Sequence, residues 1–312
     1  MTRISLSEAS ELLYSHDNIE ILTHRYPDGD TIGSAYALCL ALQSIGKNAR
    51  VLTAGTVSKK FLPFTSAVKA QDFRAQYTVS VDVAAPSLLG KLQQEYENKI
   101  DLCIDHHGSN SMQAENVFVD SSAAAAGEII FDLLKLMNVT LTKEISDALY
   151  LAISTDTGCF MYSNTSARTL RTCAELLEAG VDNGSINHKI FEEKTKAKIE
   201  LEKRVYETLT YFCSGKAAMI TVTKDMVNGL DDSETEGLAS IPRQIDGVVM
   251  GITVREKEDC YRVSVRTNCG VDASQFCAQF GGGGHPAAAG CSLFGTCEQV
   301  RQTLIKAAEE FL

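Results

Sequence analysis

Short apolar runs divided by polar turns, with longer stretches of helical spacing between them, organise the first half of the chain. Residues 19–23 (IEILT) read as a strand, followed by the polar turn HRYPDGD and a helical stretch over residues 31–45. Residues 49–53 (ARVLT), 77–83 (YTVSVDV) and 100–104 (IDLCI) read as three further strands, and residues 124–136 and 143–154 as helices. Strands alternating with helices predict a parallel sheet covered on both faces. Residues 187–212 then carry a charge-laced helical pattern. Beyond it, residues 216–222, 248–254 and 260–265 read as strands, and residues 272–280 and 297–311 as helices. The expectation is an α/β protein of two domains. A parallel-sheet domain over residues 1–186 is joined by a helical linker, 187–214, to a smaller α/β domain, 215–312.

The length of 312 residues and a 45% hydrophobic share fit two cored domains and exclude a fibrous or disordered chain. Lys and Arg number 29 against 40 Asp and Glu, a net charge of -11. Such acidity speaks against gripping long duplex nucleic acid, which needs a broad basic surface. It leaves room for a small anionic substrate and suits divalent cations. The ten cysteines form no C-x-x-C pair, and Cys39, Cys103 and Cys173 sit in apolar runs, where a reduced thiol acts as a small hydrophobe. The first residues lack the apolar core of a secretory signal, and no stretch has the roughly 18 to 20 apolar residues of a membrane span. A reducing cytoplasm and no membrane partner are therefore expected.

The candidate chemistry gathers where predicted strands end. His24, Asp28 and Asp30 follow the first strand as H-R-Y-P-D-G-D. Asp82 closes YTVSVDV, and Asp105, His106 and His107 follow IDLCI. Asp156 lies in S-T-D-T-G, after a helix. In open α/β sheets ligands bind beyond the carboxyl ends of the strands, so these segments can deliver their side chains to one crevice. Singly, P-D-G-D is a turn and an Asp at a strand end a helix cap. Jointly the pattern is harder to dismiss, because four of the six histidines (His24, His106, His107, His285) fall in such clusters; His16 and His188 lie in polar contexts and read as solvated. Converging carboxylates repel unless cations hold them. Carboxylates with one or two imidazoles suit Mn²⁺ or Mg²⁺. Two such ions, with one bridging Asp, clamp an in-line displacement at phosphorus. The expectation is a two-metal phosphoesterase.

H-R-Y-P-D-G-D-T-I-G-S, Asp82, D-H-H-G at residues 105–108 and T-D-T-G at 155–158 together resemble the DHH phosphoesterase family. R-T-N-C-G and G-G-G-G-H-P-A-A-A-G at 281–290 resemble its DHHA1 substrate-binding domain. A two-domain chain of this length is similar to the nanoRNase/pAp-phosphatase branch, which degrades very short RNA and dephosphorylates 3′-phosphoadenosine 5′-phosphate. The resemblance implies that His24 and Asp28 bind one Mn²⁺ (or Mg²⁺), that Asp30, His106 and Asp156 bind a second, and that Asp82 bridges both. It implies that His107 meets the scissile phosphate or the leaving group, with Asp105 orienting its neighbours. The sequence departs from the pattern at SSAAAAGE, residues 121–128, where relatives more often carry Ser or Thr before the Glu.

In the second domain a glycine run lets backbone N–H groups approach a phosphate, so Gly282, Gly283, Gly284 and His285 are candidate substrate contacts. Arg266, ending the strand YRVSVR, offers a two-pronged grip on a phosphate, and Arg243 is a weaker candidate. The expected substrates are short RNA or nucleotides, and a homodimer is possible. The same metals would serve a cyclic di-AMP or pApA phosphodiesterase, a pyrophosphatase or exopolyphosphatase, or a nucleotide-binding module without turnover.

Overall fold

The computed structural model describes residues 1–268 and 270–312, and the chain divides into two compact units, Met1–Glu193 and Lys194–Leu312. Cys269, the fourth residue of R-T-N-C-G, lies outside the described residues.

The first unit is built on a six-stranded sheet of β1 (Thr2–Arg3), β2 (Ile19–Leu22), β3 (Ala49–Leu52), β4 (Tyr77–Val81), β5 (Ile100–Asp105) and β6 (Ala114–Val119), in the order β1-β6-β5-β4-β2-β3. Every neighbouring pair is parallel. All residues of β2 and β4 are buried. Helices cover both faces of a parallel sheet, so even the polar Glu20, Thr78 and Ser80 of these strands are buried, and Glu20 is paired with Arg50 and Tyr96. β1, β6 and the first helix, α1 (Leu6–Ser15), were not read from the sequence; α1 is announced only by a capping box between Ser5 and Glu8.

α2 (Gly29–Ser44) starts at Asp28, whose side chain caps the amide of Thr31. It packs with α4 (Ala126–Leu136) and α5 (Lys143–Asp156); between β4 and β5 lie a 3-10 segment, Pro86–Leu92, and the short helix α3 (Gln93–Tyr96). Small residues permit close approach. A Cβ on Gly33 would collide with the carbonyl oxygen of Ala148, one on Gly29 with the Thr155 side chain, and one on Gly127 would lie 2.6 Å from the Ala152 Cβ. Gly29 against Thr155 means that the start of α2 meets the end of α5. Two segments some 125 residues apart in sequence are thereby placed side by side.

α6 (Ala167–Glu178) and α7 (Asn183–Asn187) complete the unit. The continuous helix expected over 187–212 is not formed. A single π-helical turn, His188–Glu192, ends at Glu193 with extended backbone, and Thr195 caps a new helix, α8 (Lys196–Tyr206). Thr195 accepts from the amide of Lys198, so a polar cap overrides the helical spacing around it. Residues 210–212 are strand. His16 is also placed differently from expectation: its ring stacks on Tyr77 with centroids 4.0 Å apart, and its Nδ1 is 2.8 Å from the carbonyl of Leu12. His188 is exposed and pairs with Glu192 at 3.1 Å.

The second unit holds β7 (Thr210–Phe212), β8 (Ala217–Val222), β9 (Met250–Glu256), β10 (Tyr261–Thr267), β11 (Gly283–His285) and β12 (Ala288–Leu293), in the order β11-β12-β10-β9-β8-β7. Only β8 and β9 run parallel. α9 (Lys224–Val227), α10 (Ala273–Ala278) and α11 (Cys297–Phe311) accompany it, and Val263, Val265, Phe276, Val300 and Leu304 fill its core. The nine described cysteines are free. No described helix is long and apolar enough to cross a membrane.

Candidate metal centre

Asp82 does not end a strand, as expected, but follows β4 with φ +58°, in the left-handed region. A non-glycine residue there is held by its surroundings. The effect is to swing a carboxylate out of the sheet. Its Oδ2 lies 3.6 Å from His24 Nε2, and its Oδ1 lies 3.6 Å from His106 Nε2 and 3.5 Å from His107 Nδ1. Asp82 is 3% exposed, and its Oδ1 has no hydrogen-bond partner.

His24 stands two residues past the end of β2 and lies 3.5 Å from Asp28 at the α2 cap; Tyr26 N–H donates to its Nδ1 at 3.3 Å. Asp30, in the first turn of α2, is 1% exposed and accepts from Ser34 Oγ (2.9 Å), Ala126 N–H (2.7 Å) and Gly127 N–H (3.0 Å). The last two donors are the free amides that open α4, a site suited to an anion. His106 Nε2 stands 3.4 Å from Asp156 and 3.7 Å from Asp30. The structure thus brings together all six predicted metal ligands, His24, Asp28, Asp30, Asp82, His106 and Asp156, with Asp105 and His107 beside them.

Burial pushes Asp30 and Asp82 well above the usual carboxylate range, and their aspartate neighbours push them further. Asp156 is raised too, again chiefly by burial. Asp105 is buried and Asp28 more than half exposed, and in both the surrounding protein's desolvation is outweighed by an imidazole partner: the hydrogen bond with His24 holds Asp28 below its usual range, as does that with His107 for Asp105. Asp105 is fully buried, with Oδ1 accepting from His106 N–H (2.8 Å) and His107 Nδ1 (2.9 Å) and Oδ2 from Asn110 Nδ2 (2.5 Å). The Asp105 bond raises the His107 pKa.

The donor set suits divalent cations. His24, Asp28 and Asp82 form one group whose ligand atoms lie within 4.8 Å of one another, and Asp30, His106 and Asp156 form another. Each is oxygen-rich with one imidazole, the mixture that favours Mn²⁺ or Mg²⁺. The orphaned Oδ1 of Asp82 and the raised carboxyls of Asp30, Asp82 and Asp156 fit a site built to hold cations.

The second unit treats its candidates in two ways. Gly282 and Gly284 are required by packing: a Cβ on Gly282 would strike the carbonyl of Gly290, and one on Gly284 (φ +147°) would lie 2.6 Å from that of Ala288. Gly283 faces open space, and His285 is exposed. Residues 283–285 are an edge strand paired with β12, not a loop. Arg266 on β10 lies between Gly251 on β9 and Ala288 on β12, small neighbours that leave its guanidinium room. Burial and the adjacent Arg243 charge both lower its pKa. Neither arginine forms an ion pair among the described residues, and the buried Nε of Arg243 has no partner. Sequence reasoning missed Asn110, Asp120, Asn164 and Arg168, all in contact with the site's framework; asparagine and arginine outside a motif carry no pattern that singles them out.

Residues 18–153 match the DHH family, N-terminal domain, and residues 218–312 the DHHA1 domain. A bifunctional oligoribonuclease and PAP phosphatase NrnA of Thermus thermophilus is 32% identical over 299 residues, covering 94% of this chain and 90% of that protein. The NrnA of Bacillus subtilis is 26% identical over 287 residues, covering 89% and 90%. The crystal structure of an exopolyphosphatase-related protein from Bacteroides fragilis shares the fold, with a TM-score of 0.87 at 23% identity over 98% of this chain and 96% of that one.

Proposed function

From the chain's membership of the DHH phosphoesterase family, in the branch of the bifunctional oligoribonuclease and PAP phosphatase NrnA, we propose that it hydrolyses short oligoribonucleotides to mononucleotides and 3′-phosphoadenosine 5′-phosphate to AMP. The observation that carries this reading is Asp82, whose two oxygens face His24 and His106, one imidazole from each ligand group. A carboxylate so placed serves two cations at once. His24 and Asp28 would hold one Mn²⁺ and Asp30, His106 and Asp156 the other, with Asp82 shared. Bound there, the pair supplies Lewis acidity toward a phosphoryl oxygen and lowers the pKa of water.

The remaining work falls to the chain's own groups. Asp105 fixes His107 through Nδ1, so the imidazole presents Nε2, which has no hydrogen bond among the described residues, and can pass its proton to the departing oxygen. The Asp105 hydrogen bond raises the His107 pKa, which favours the protonated ring that such a transfer needs. In the second unit, Arg266, Gly282, Gly283, Gly284 and His285 are assigned to the substrate's phosphate and its flanking groups, with Arg243 joining them. Two arginines that repel each other and lack carboxylate partners are relieved by a bound phosphate.

The test is product analysis with Mn²⁺ on pApA, a 5-mer RNA, 3′-phosphoadenosine 5′-phosphate, cyclic di-AMP and pyrophosphate, with Asp82→Ala as control. Mononucleotides from the first two and AMP from the third, all lost in the control, are expected. Turnover confined to cyclic di-AMP or pyrophosphate would overturn the substrate assignment, and metal binding without turnover would overturn the enzyme.

A further inference from the structure

One short stretch of main chain, residues 120–127, holds two of the proposed ligands from behind and is tied to a third through Asn164. The carbonyl of Ala123 accepts from His106 Nδ1 at 3.3 Å. The amides of Ala126 and Gly127 donate to Asp30 at 2.7 and 3.0 Å. The carbonyl of Ala124 accepts from Asn164 Nδ2 at 3.1 Å, and the same amide group donates to the carbonyl of Asp156 at 3.1 Å. The alanine methyls contribute no polar contact. The run that departs from the family pattern therefore works through its backbone.

A main-chain cradle has no side chain with which to adjust, so its placement depends on where it is anchored. The anchor is Asp120, just after β6. Its amide donates to the carbonyl of Asp105 (3.1 Å), and its own carbonyl accepts from Ala123 N–H (3.1 Å). Its Oδ1 accepts from Ser122 N–H (3.0 Å) and Ser122 Oγ (2.6 Å), which closes the turn and leaves Oδ2 outward. Oδ2 is taken by Arg168 Nη1 at 2.7 Å.

Arg168 sits in the first turn of α6, pinned there by the reciprocal cap between Ser166 and Thr169. Its Nη2 donates to Asp132 at 2.7 Å, and its Nε is 3.6 Å from Glu128. Glu128 is fully buried, and neither of its oxygens has a hydrogen-bond partner. One guanidinium thus ties the front of the cradle to two successive turns of α4, the helix whose first amides hold Asp30. Three carboxylates around one fork is a geometry that arginine meets and lysine cannot.

We infer that Arg168 is a positioning residue for this centre, acting through Asp120 and the 120–127 turn to set the orientation of His106. The imidazole binds a cation through Nε2 only when Nδ1 carries the proton, and the Ala123 carbonyl enforces that tautomer. The inference rests on the proposed metal site.

Calorimetric Mn²⁺ titration and ¹⁵N histidine resonances of the metal-free protein test it, using Arg168→Lys and Asp120→Asn. Asp120→Asn leaves Arg168 beside buried Glu128, so it decides alone if Arg168→Lys does not fold. Both variants should lose about 10- to 100-fold in affinity at the site of Asp30, His106 and Asp156, the usual cost of removing a partner behind a ligand. The Nδ1–H signal of His106 should shift in both. Wild-type affinity and an unmoved His106 signal in folded variants overturn the inference. His106→Ala separates the two levels: if it binds both ions as the wild type does, the metal assignment fails instead.

Discussion

The Oδ1 of Asp105 lies 2.9 Å from the Nδ1 of His107, and Asp105 is fully buried while the His107 side chain is 46% exposed. A buried carboxylate thus orients an imidazole at the open side of the centre. Asp105→Asn should lower the His107 pKa, because the hydrogen bond that raises it is weakened. It should cut kcat about 10- to 100-fold, as loss of an orienting partner does, with Mn²⁺ affinity nearly kept. An NMR pH titration of His107 checks the first part; an unmoved midpoint would remove Asp105 from this role.

Metal loading should release protons. Asp30, Asp82 and Asp156 are raised above the usual carboxylate range, so without a cation they retain protons to higher pH than ordinary aspartates. A group raised on folding adds stability below its unfolded pKa, and that stability is lost as pH climbs through the folded value. Bound cations cancel this loss, so the rise in Tm caused by Mn²⁺ should grow with pH. Titrations in two buffers of different ionisation enthalpy count the protons. A count of zero between about pH 5 and 7 would contradict the raised carboxyls, whose reference value is about 3.9.

Asp82→Asn should separate stability from function. Asparagine tolerates the left-handed backbone at this position (φ +58°) and removes a buried acid whose Oδ1 has no partner. The amide cannot ionise among the neighbouring aspartates, so the metal-free variant should be more stable than the metal-free wild type by a margin that grows as pH rises. A thermal melt reads this as a higher Tm, while activity with Mn²⁺ should vanish. A melt below that of the metal-free wild type would show that Asp82 already has a compensating partner.

Gly33→Ala should weaken the centre from a distance. Alanine favours a helix interior by about 1 kcal/mol over glycine, yet here its Cβ would strike the main-chain oxygen of Ala148 and lie 2.9 Å from the Cβ of Ala152. Neither can swing aside as a flexible side chain would. Overpacking costs of about 1–3 kcal/mol therefore outweigh the propensity gain. Separating α2 from α5 draws Asp30 away from Asp156, so Tm and Mn²⁺ affinity should fall together. An unchanged affinity would mean that the two helices adjust without moving the ligands.

Much of the centre was legible in the chain because a parallel sheet sends its strand ends to one edge. His24, Asp105, His106 and His107 stand where an apolar run stops, and residue type and position alone point to cation chemistry. The strands themselves were legible as short runs rich in β-branched and apolar residues between polar turns, but that Glu20, Thr78 and Ser80 within them are buried as well was decided by the helices packed on both faces. Other features needed the folded chain. The left-handed turn at Asp82, the main-chain cradle over residues 120–127 and the clamp of Arg168 depend on amides, carbonyls and distances between segments far apart in sequence. Every residue carries the same amide and carbonyl, so no sequence pattern marks the ones that matter. The glycine run shows the same division: its composition signalled close approach, but only the pairing of β11 with β12 decided that Gly282 and Gly284 approach the protein's own backbone. Side-chain identity placed the chemistry along the chain, and packing of backbone on backbone decided how it is held.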